Sequence, residues 1–184
     1  MTEPFATVLA GGHHNSLGRT AEVVDITLSD QARLDELFGC LASPDELVRM
    51  RAGDALEKIC RERPAWFVPY VERLLDEVAG IDQPSVQWHL AQMLQHLHDA
   101  LSRPQMRRAT ELLQRQLTNS TDWIVLNVTM DVLTDWADEA PELASWLRAE
   151  LDRLRQDRRP SVAKRAAKRL SRLEGTAGAR VRAR

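Results

Sequence analysis

A chain of 184 residues with 43% hydrophobic side chains can bury one core, as a single domain or an uninterrupted repeat array. Leu, Ala, Arg, Glu and Asp dominate and aromatic residues make up only 5%, a balance that suits helices rather than sheets. The formal net charge is −2, but residues 148–184 hold 13 Lys and Arg against 4 Asp and Glu, and nowhere does an apolar run approach the roughly 18 residues of a membrane span.

The first residues, MTEPFATVLAGG, contain Glu3 and Pro4 and lack the basic start and apolar stretch of an export signal. The expected setting is therefore cytoplasmic. Gly11-Gly12 would interrupt any helix, so residues 1–15 are read as an irregular, flexible segment. A helix is expected from about Leu17 to Leu28, with Ser16 as its N-cap and Leu17, Ala21, Val24 and Leu28 on one buried face. It would cap the N-terminal end of the core.

From there the chain repeats at a 38-residue interval. Val48, Val86, Ile124 and Val162 form one column, Leu56, Leu94, Val132 and Leu170 a second, and Leu37, Leu75, Leu113 and Leu151 a third. A fixed period of this size is the mark of a helical solenoid in which each repeat supplies an A helix and a B helix. The B helices are expected to open after Pro44, Pro84, Asp122 and Pro160, and the later A helices near Pro64, Pro104 and Pro141. In the third B helix the stripe Ile124, Val128 and Val132 slips by one residue to Leu133 and Trp136. The repeat domain would span 16–174. The tail 175–184, GTAGARVRAR, lacks apolar period and is read as flexible and basic. Cys40 and Cys60 have no motif spacing and read as buried structural thiols.

The first B helix, SPDELVRMRAGDALEKI, resembles a HEAT repeat in Asp45, Val48, Arg49, Ala52, Ala55 and Leu56. QPSVQWHLAQMLQHL and RPSVAKRAAKRLSRL are weaker copies, and STDWIVLNVTMDVL is the most divergent. With its N-terminal GGHHNSLGRTAEVV, the whole chain is also similar to a group of small bacterial HEAT-like proteins without an assigned activity. The resemblance implies an all-α, right-handed α-α superhelix of four helix pairs plus an N-terminal capping helix. It also implies a scaffold or binding role, with the B helices lining the concave side.

Helical geometry then names the side chains that face away from the core. One ridge would be Met50, Trp88, Leu126 and Lys164, the next Asp54, Gln92, Met130 and Lys168, and a third Glu57, Gln95, Leu133 and Ser171. The ridges pass from acidic through apolar to basic. Trp88, Trp123, Leu126 and Met130 are candidate apolar anchors for a partner protein, with Asp54, Gln92, Lys164 and Lys168 as polar contacts. Burial of this patch by the chain itself and self-association are the competing readings.

Chemistry is harder to find. His89, His96 and His98 lie close in sequence, but no carboxylate or Cys set completes a zinc site, so neither metal nor cofactor is expected. GGHHNSLGR precedes a helix but lacks the phosphate-loop pattern; Arg19 and the helix start would offer at most an anion contact. No catalytic constellation appears. A second class of function is nucleic-acid binding through Lys164, Arg165, Lys168, Arg169 and Arg172, either alone or as a HEAT-like DNA repair glycosylase drawing on Trp88, Trp123 and Asp131. A third is a regulatory or accessory subunit of an enzyme.

Overall fold

A computed structural model of the chain describes residues 3–13 and 15–182, with side chains in the last helix described to Gly175. All its regular elements among these residues are helical. They run α1 (Phe5–Leu9), α2 (Thr20–Ser29), α3 (Leu34–Gly39), α4 (Glu46–Glu62), α5 (Pro64–Phe67), α6 (Val71–Asp76), α7 (Pro84–His96), α8 (Arg103–Asn119), α9 (Trp123–Trp136), α10 (Pro141–Leu154) and α11 (Pro160–Arg182). Two compact units emerge, residues 1–106 and residues 107–184.

Local chemistry sets the starts of the B helices α4, α7, α9 and α11. The Asp45 side chain accepts from the Leu47 N–H, and Asp122 accepts from Ile124 and Val125, so each satisfies donors a first turn leaves open. Pro84 and Pro160 stand at the first helical position, where a missing N–H costs nothing. Pro64 and Pro141 open α5 and α10 in the same way. The second A segment is broken rather than continuous: Pro69 lies in a 3-10 turn, Val68–Tyr70, between α5 and α6.

In unit 1, α4 is the hub. It packs against α7 and α2, with α1, α3 and α5 also in contact, and is buried without interruption from Arg51 to Glu57. Arg49 ties it to the start of α7, its Nε donating to Gln83 Oε1 at 2.7 Å and its Nη1 to Ser43 O at 2.7 Å. Phe38 of α3 stacks on Tyr70 with centroids 4.3 Å apart, and Phe67 tilts against both. In unit 2, α11 packs on α9 and α10, which also touch each other. The expected columns are largely interior. Val48, Val86 and Val162 are buried, as are Leu56, Leu94 and Val132 and all of Leu37, Leu75, Leu113 and Leu151. Cys40 and Cys60 are free and buried, and burial pushes their thiols up to about 11 and about 12.

Several expectations are corrected. Residues 1–15 include the helix α1, because Phe5, Val8 and Leu9 fall at i, i+3 and i+4 and all three are buried. Gly18, at φ +53°, delays the next helix to Thr20, and Ser16 Oγ accepts from Gly18 N instead of capping it. Leu17 is consequently exposed, Ala21 likewise, and the buried face is Thr20, Val23, Val24 and Thr27. The threonines tolerate burial because their hydroxyls donate back, Thr20 to Leu17 O and Thr27 to Val23 O. In α9, Ile124 and Val128 are only half-buried, while Val125, Leu126, Thr129, Met130 and Leu133 are buried. The helix is rotated relative to the 38-residue grid. At the C-terminal end, α11 runs on to Arg182, as Ala- and Arg-rich sequence favours. Residues 183 and 184 of the expected tail lie outside the described residues.

The GGHHNSLGR segment is a collar rather than an anion loop. Arg51 of α4 is 1% exposed and sits inside it. Its Nη1 donates to Leu9 O (2.6 Å) and Gly11 O (2.7 Å), its Nε to Ser16 O (2.9 Å) and its Nη2 to His13 O (3.3 Å). The loop thus turns carbonyls inward, which suits a guanidinium and repels an anion. Gly11, Gly12 and Gly18 all have positive φ, and a Cβ on Gly18 would stand 2.8 Å from Arg51 Cζ. Arg19 is engaged outside the collar by Glu3 and Glu22.

Candidate functional site

The B-helix faces differ between the two units. In unit 1, α7 crosses α4 at Gly53, whose position for a Cβ lies 3.6 Å from the Cβ and Cγ of His89. Asp54 and Glu57, expected on the outside of α4, are buried because neighbours cover that helix on several sides. Asp54 Oδ2 accepts from Lys58 Nζ at 2.6 Å, and Glu57 Oε1 lies 2.9 Å from His96 Nε2 and 3.6 Å from Arg61 Nη1. Burial works against ionising Glu57, but the hydrogen bond with His96 and the charge of Arg61 outweigh it and hold its carboxyl below the ordinary value.

His89 is fully enclosed, and neither of its ring nitrogens has a hydrogen-bond partner. Burial depresses its pKa to about 3, against the pull of Glu57 and with the help of Lys58. The Trp88 ring lies against it with centroids 3.4 Å apart. Trp88 and Gln92 are half-buried, and Gln92 Oε1 is buried with no donor. Sequence spacing marked His89 as one of several histidines; only packing reveals it as an interior group facing two carboxylates.

In unit 2, the expected apolar anchors Leu126 and Met130 are 1% and 0% exposed. With Leu133 they belong to the interior, because the rotation of α9 turns them inward. Trp123, at the first turn of α9, is 50% exposed. Lys164 and Lys168 are exposed on α11. The arginines beside them are engaged. Asp131 accepts from Arg165 Nη1 at 2.6 Å and Arg169 Nε at 2.7 Å, and Arg172 bridges Asp135 and Asp138. A shallow cavity of about 400 Å³ lies elsewhere in this unit, lined by Glu111, Gln114, Arg115, Thr118 and Asn119 of α8 and Trp146 of α10. The sequence columns did not single it out.

Among the described residues no group of three or more His, Cys, Asp or Glu forms a metal-binding cluster, and no helix is long and apolar enough to cross a membrane. The HEAT repeat domain matches the chain over residues 12–172. The chain belongs to the HEAT repeat family. No curated protein matches the sequence. HEAT repeats generally serve protein–protein interaction or scaffolding and are typically non-catalytic. Of its sequence-derived candidates, unit 1 brings Asp54, Trp88 and Gln92 onto the adjacent helices α4 and α7, and unit 2 leaves Trp123, Lys164 and Lys168 accessible.

Proposed function

We propose that this HEAT repeat protein is a non-catalytic interaction module and that unit 1 docks a partner protein along α4 and α7. The observation that carries the reading is the half-buried Trp88 beside Gln92, whose carboxamide oxygen is buried without a donor. Tryptophan concentrates binding energy at interface centres, and a buried acceptor without a partner is repaid when an incoming chain supplies one. The test is affinity capture from native cells with the wild-type chain and with Trp88→Ala. The variant should lose a captured protein and keep its melting temperature within a few degrees. Capture unchanged by the substitution sinks this face as the docking site. If the protein lost on substitution is an enzyme, the module is an accessory subunit.

A second reading, nucleic-acid binding, is favoured by one observation, the exposure of Lys164 and Lys168 on α11. Against it, Asp131, Asp135 and Asp138 already neutralise the neighbouring arginines. Charge reversal of both lysines should abolish any low-salt shift of duplex DNA if this face binds phosphates. A glycosylase would in addition release free base from alkylated DNA.

A further inference from the structure

The α4–α7 seam gathers buried carboxylates and buried side chains left without partners. Asp54 and Glu57 are buried carboxylates on adjacent turns of α4. From α7 the His89 side chain, 2% exposed, points Nε2 at Asp54 Oδ1 across 4.0 Å. That gap is too long for a hydrogen bond. Gln92 adds a buried oxygen with no donor. Glu57 Oε1 is met from α7 by His96 Nε2 at 2.9 Å, and the other donors come from the rim. Lys58 Nζ reaches Asp54 Oδ2 at 2.6 Å, and Arg61 Nη1 stands 3.6 Å from Glu57 Oε1, yet Lys58 is 32% exposed and Arg61 56%. Both are long, solvent-reaching side chains of α4 itself.

We infer that the seam is a receptor for a cationic side chain in a basic segment of a partner polypeptide, and that Lys58 and Arg61 are built-in stand-ins which the incoming group displaces. This rests on the interaction-module reading above. An arginine fits best. Its planar fork can donate to Asp54 and to a facing acceptor at once, where a lysine offers a compact point charge. Trp88 beside His89 supplies an aromatic face for the guanidinium. His89 stays neutral in its enclosed position, so it sets no positive charge against the cation. Long-range charge points the same way: residues 1–106 hold 16 Asp and Glu against 9 Lys and Arg, which draws a basic segment toward this unit.

The test is fluorescence anisotropy of a labelled oligo-arginine peptide with the full chain. The wild type should bind it more tightly than oligo-lysine, and should leave oligo-glutamate free. Asp54→Asn should weaken binding by about tenfold or more, since it removes a desolvated acceptor. Lys58→Met should tighten binding several-fold, because the stand-in no longer competes. Asp25→Asn, on the exposed side of α2, should change little. Circular dichroism checks each variant for folding; if Asp54→Asn fails to fold, Lys58→Met decides alone. Unchanged or weaker binding by Lys58→Met overturns the proposal, and so does an Asp25→Asn loss equal to that of Asp54→Asn, which would mean a general acidic field. Loss of the peptide result with Trp88-dependent capture intact removes the cation receptor and leaves the interaction module standing. Loss of both removes the module reading as well.

Discussion

The two B-helix pairs, α4–α7 in unit 1 and α9–α11 in unit 2, are built on the same 38-residue template and spend their charge in opposite ways. In α9–α11, Asp131, Asp135 and Asp138 meet Arg165, Arg169 and Arg172 across the seam in partly solvated pairs. Every carboxylate in that ladder has a cation from the facing helix. In α4–α7, the acids Asp54 and Glu57 are buried, Lys58 and Arg61 come from their own helix, and the facing helix contributes His96, 2.9 Å from Glu57, and a neutral, unpartnered His89. Such a ladder stabilises register, although Asp138 Oδ1 is buried in it without a partner. The α4–α7 seam leaves the His89 ring nitrogens and Gln92 Oε1 without partners, and an outside group gains most where such groups can be reached.

The comparison breaks first at its hydrophobic base. Met130→Asp places an unpaired charge at a fully buried position in unit 2, whereas Trp88→Ala trims a half-buried ring in unit 1. The first should cost several kcal/mol, on the order of the whole stability, and abolish cooperative melting; the second should leave a clear thermal transition. Comparable melting curves for the two variants would show that α9 is not buried on that side.

Acid should then separate the seams. The unfolded His89 takes up a proton near its ordinary value of 6.5, while the folded group resists until about pH 3. Between those values the unfolded state binds more protons, so the His89 contribution is intact above about pH 6.5 and is lost as pH falls toward 3. The loss should reach on the order of a few kcal/mol in urea titrations, and His89→Leu should flatten it relative to wild type. Parallel acid profiles for the two proteins would contradict the enclosure of the ring. Smaller still is the ladder. Asp131→Asn should cost about 1 kcal/mol or less, because the carboxylate is partly exposed, and the difference should shrink as salt is added. Last comes Lys164→Ala with Lys168→Ala, which should stay within ~0.5 kcal/mol of wild type in chemical denaturation.

What was legible in the sequence was what short-range chemistry decides. Asp45, Asp122, Pro84 and Pro160 announce helix starts because a cap or a missing N–H acts within a turn. The columns at Leu37, Leu75, Leu113 and Leu151 announce an interior because apolar groups recurring on one face have nowhere else to go. The rest depends on partners distant in sequence. The helix α1 is too short to stand alone and exists where Phe5 and Leu9 find α2, α3 and α4. Asp54 and Glu57 look outward on an isolated α4 and become interior only once α7 and the N-terminal helices are laid over it. Leu126 and Met130 exchange places with Ile124 and Val128 through a rotation of α9 that no single-helix count detects.

Arg51 carries a consequence for synthesis. During translation the residues of the collar are made before α4, and the guanidinium that gathers Leu9, Gly11, His13 and Ser16 is added 33 residues after Gly18. The collar therefore has no fixed place until α4 has formed, and it closes around a helix younger than itself. An early segment that must wait in this way is open to chaperones and proteases for as long as α4 is incomplete. A pause in translation before residue 51 should then lengthen its exposure, where a pause after α4 should not.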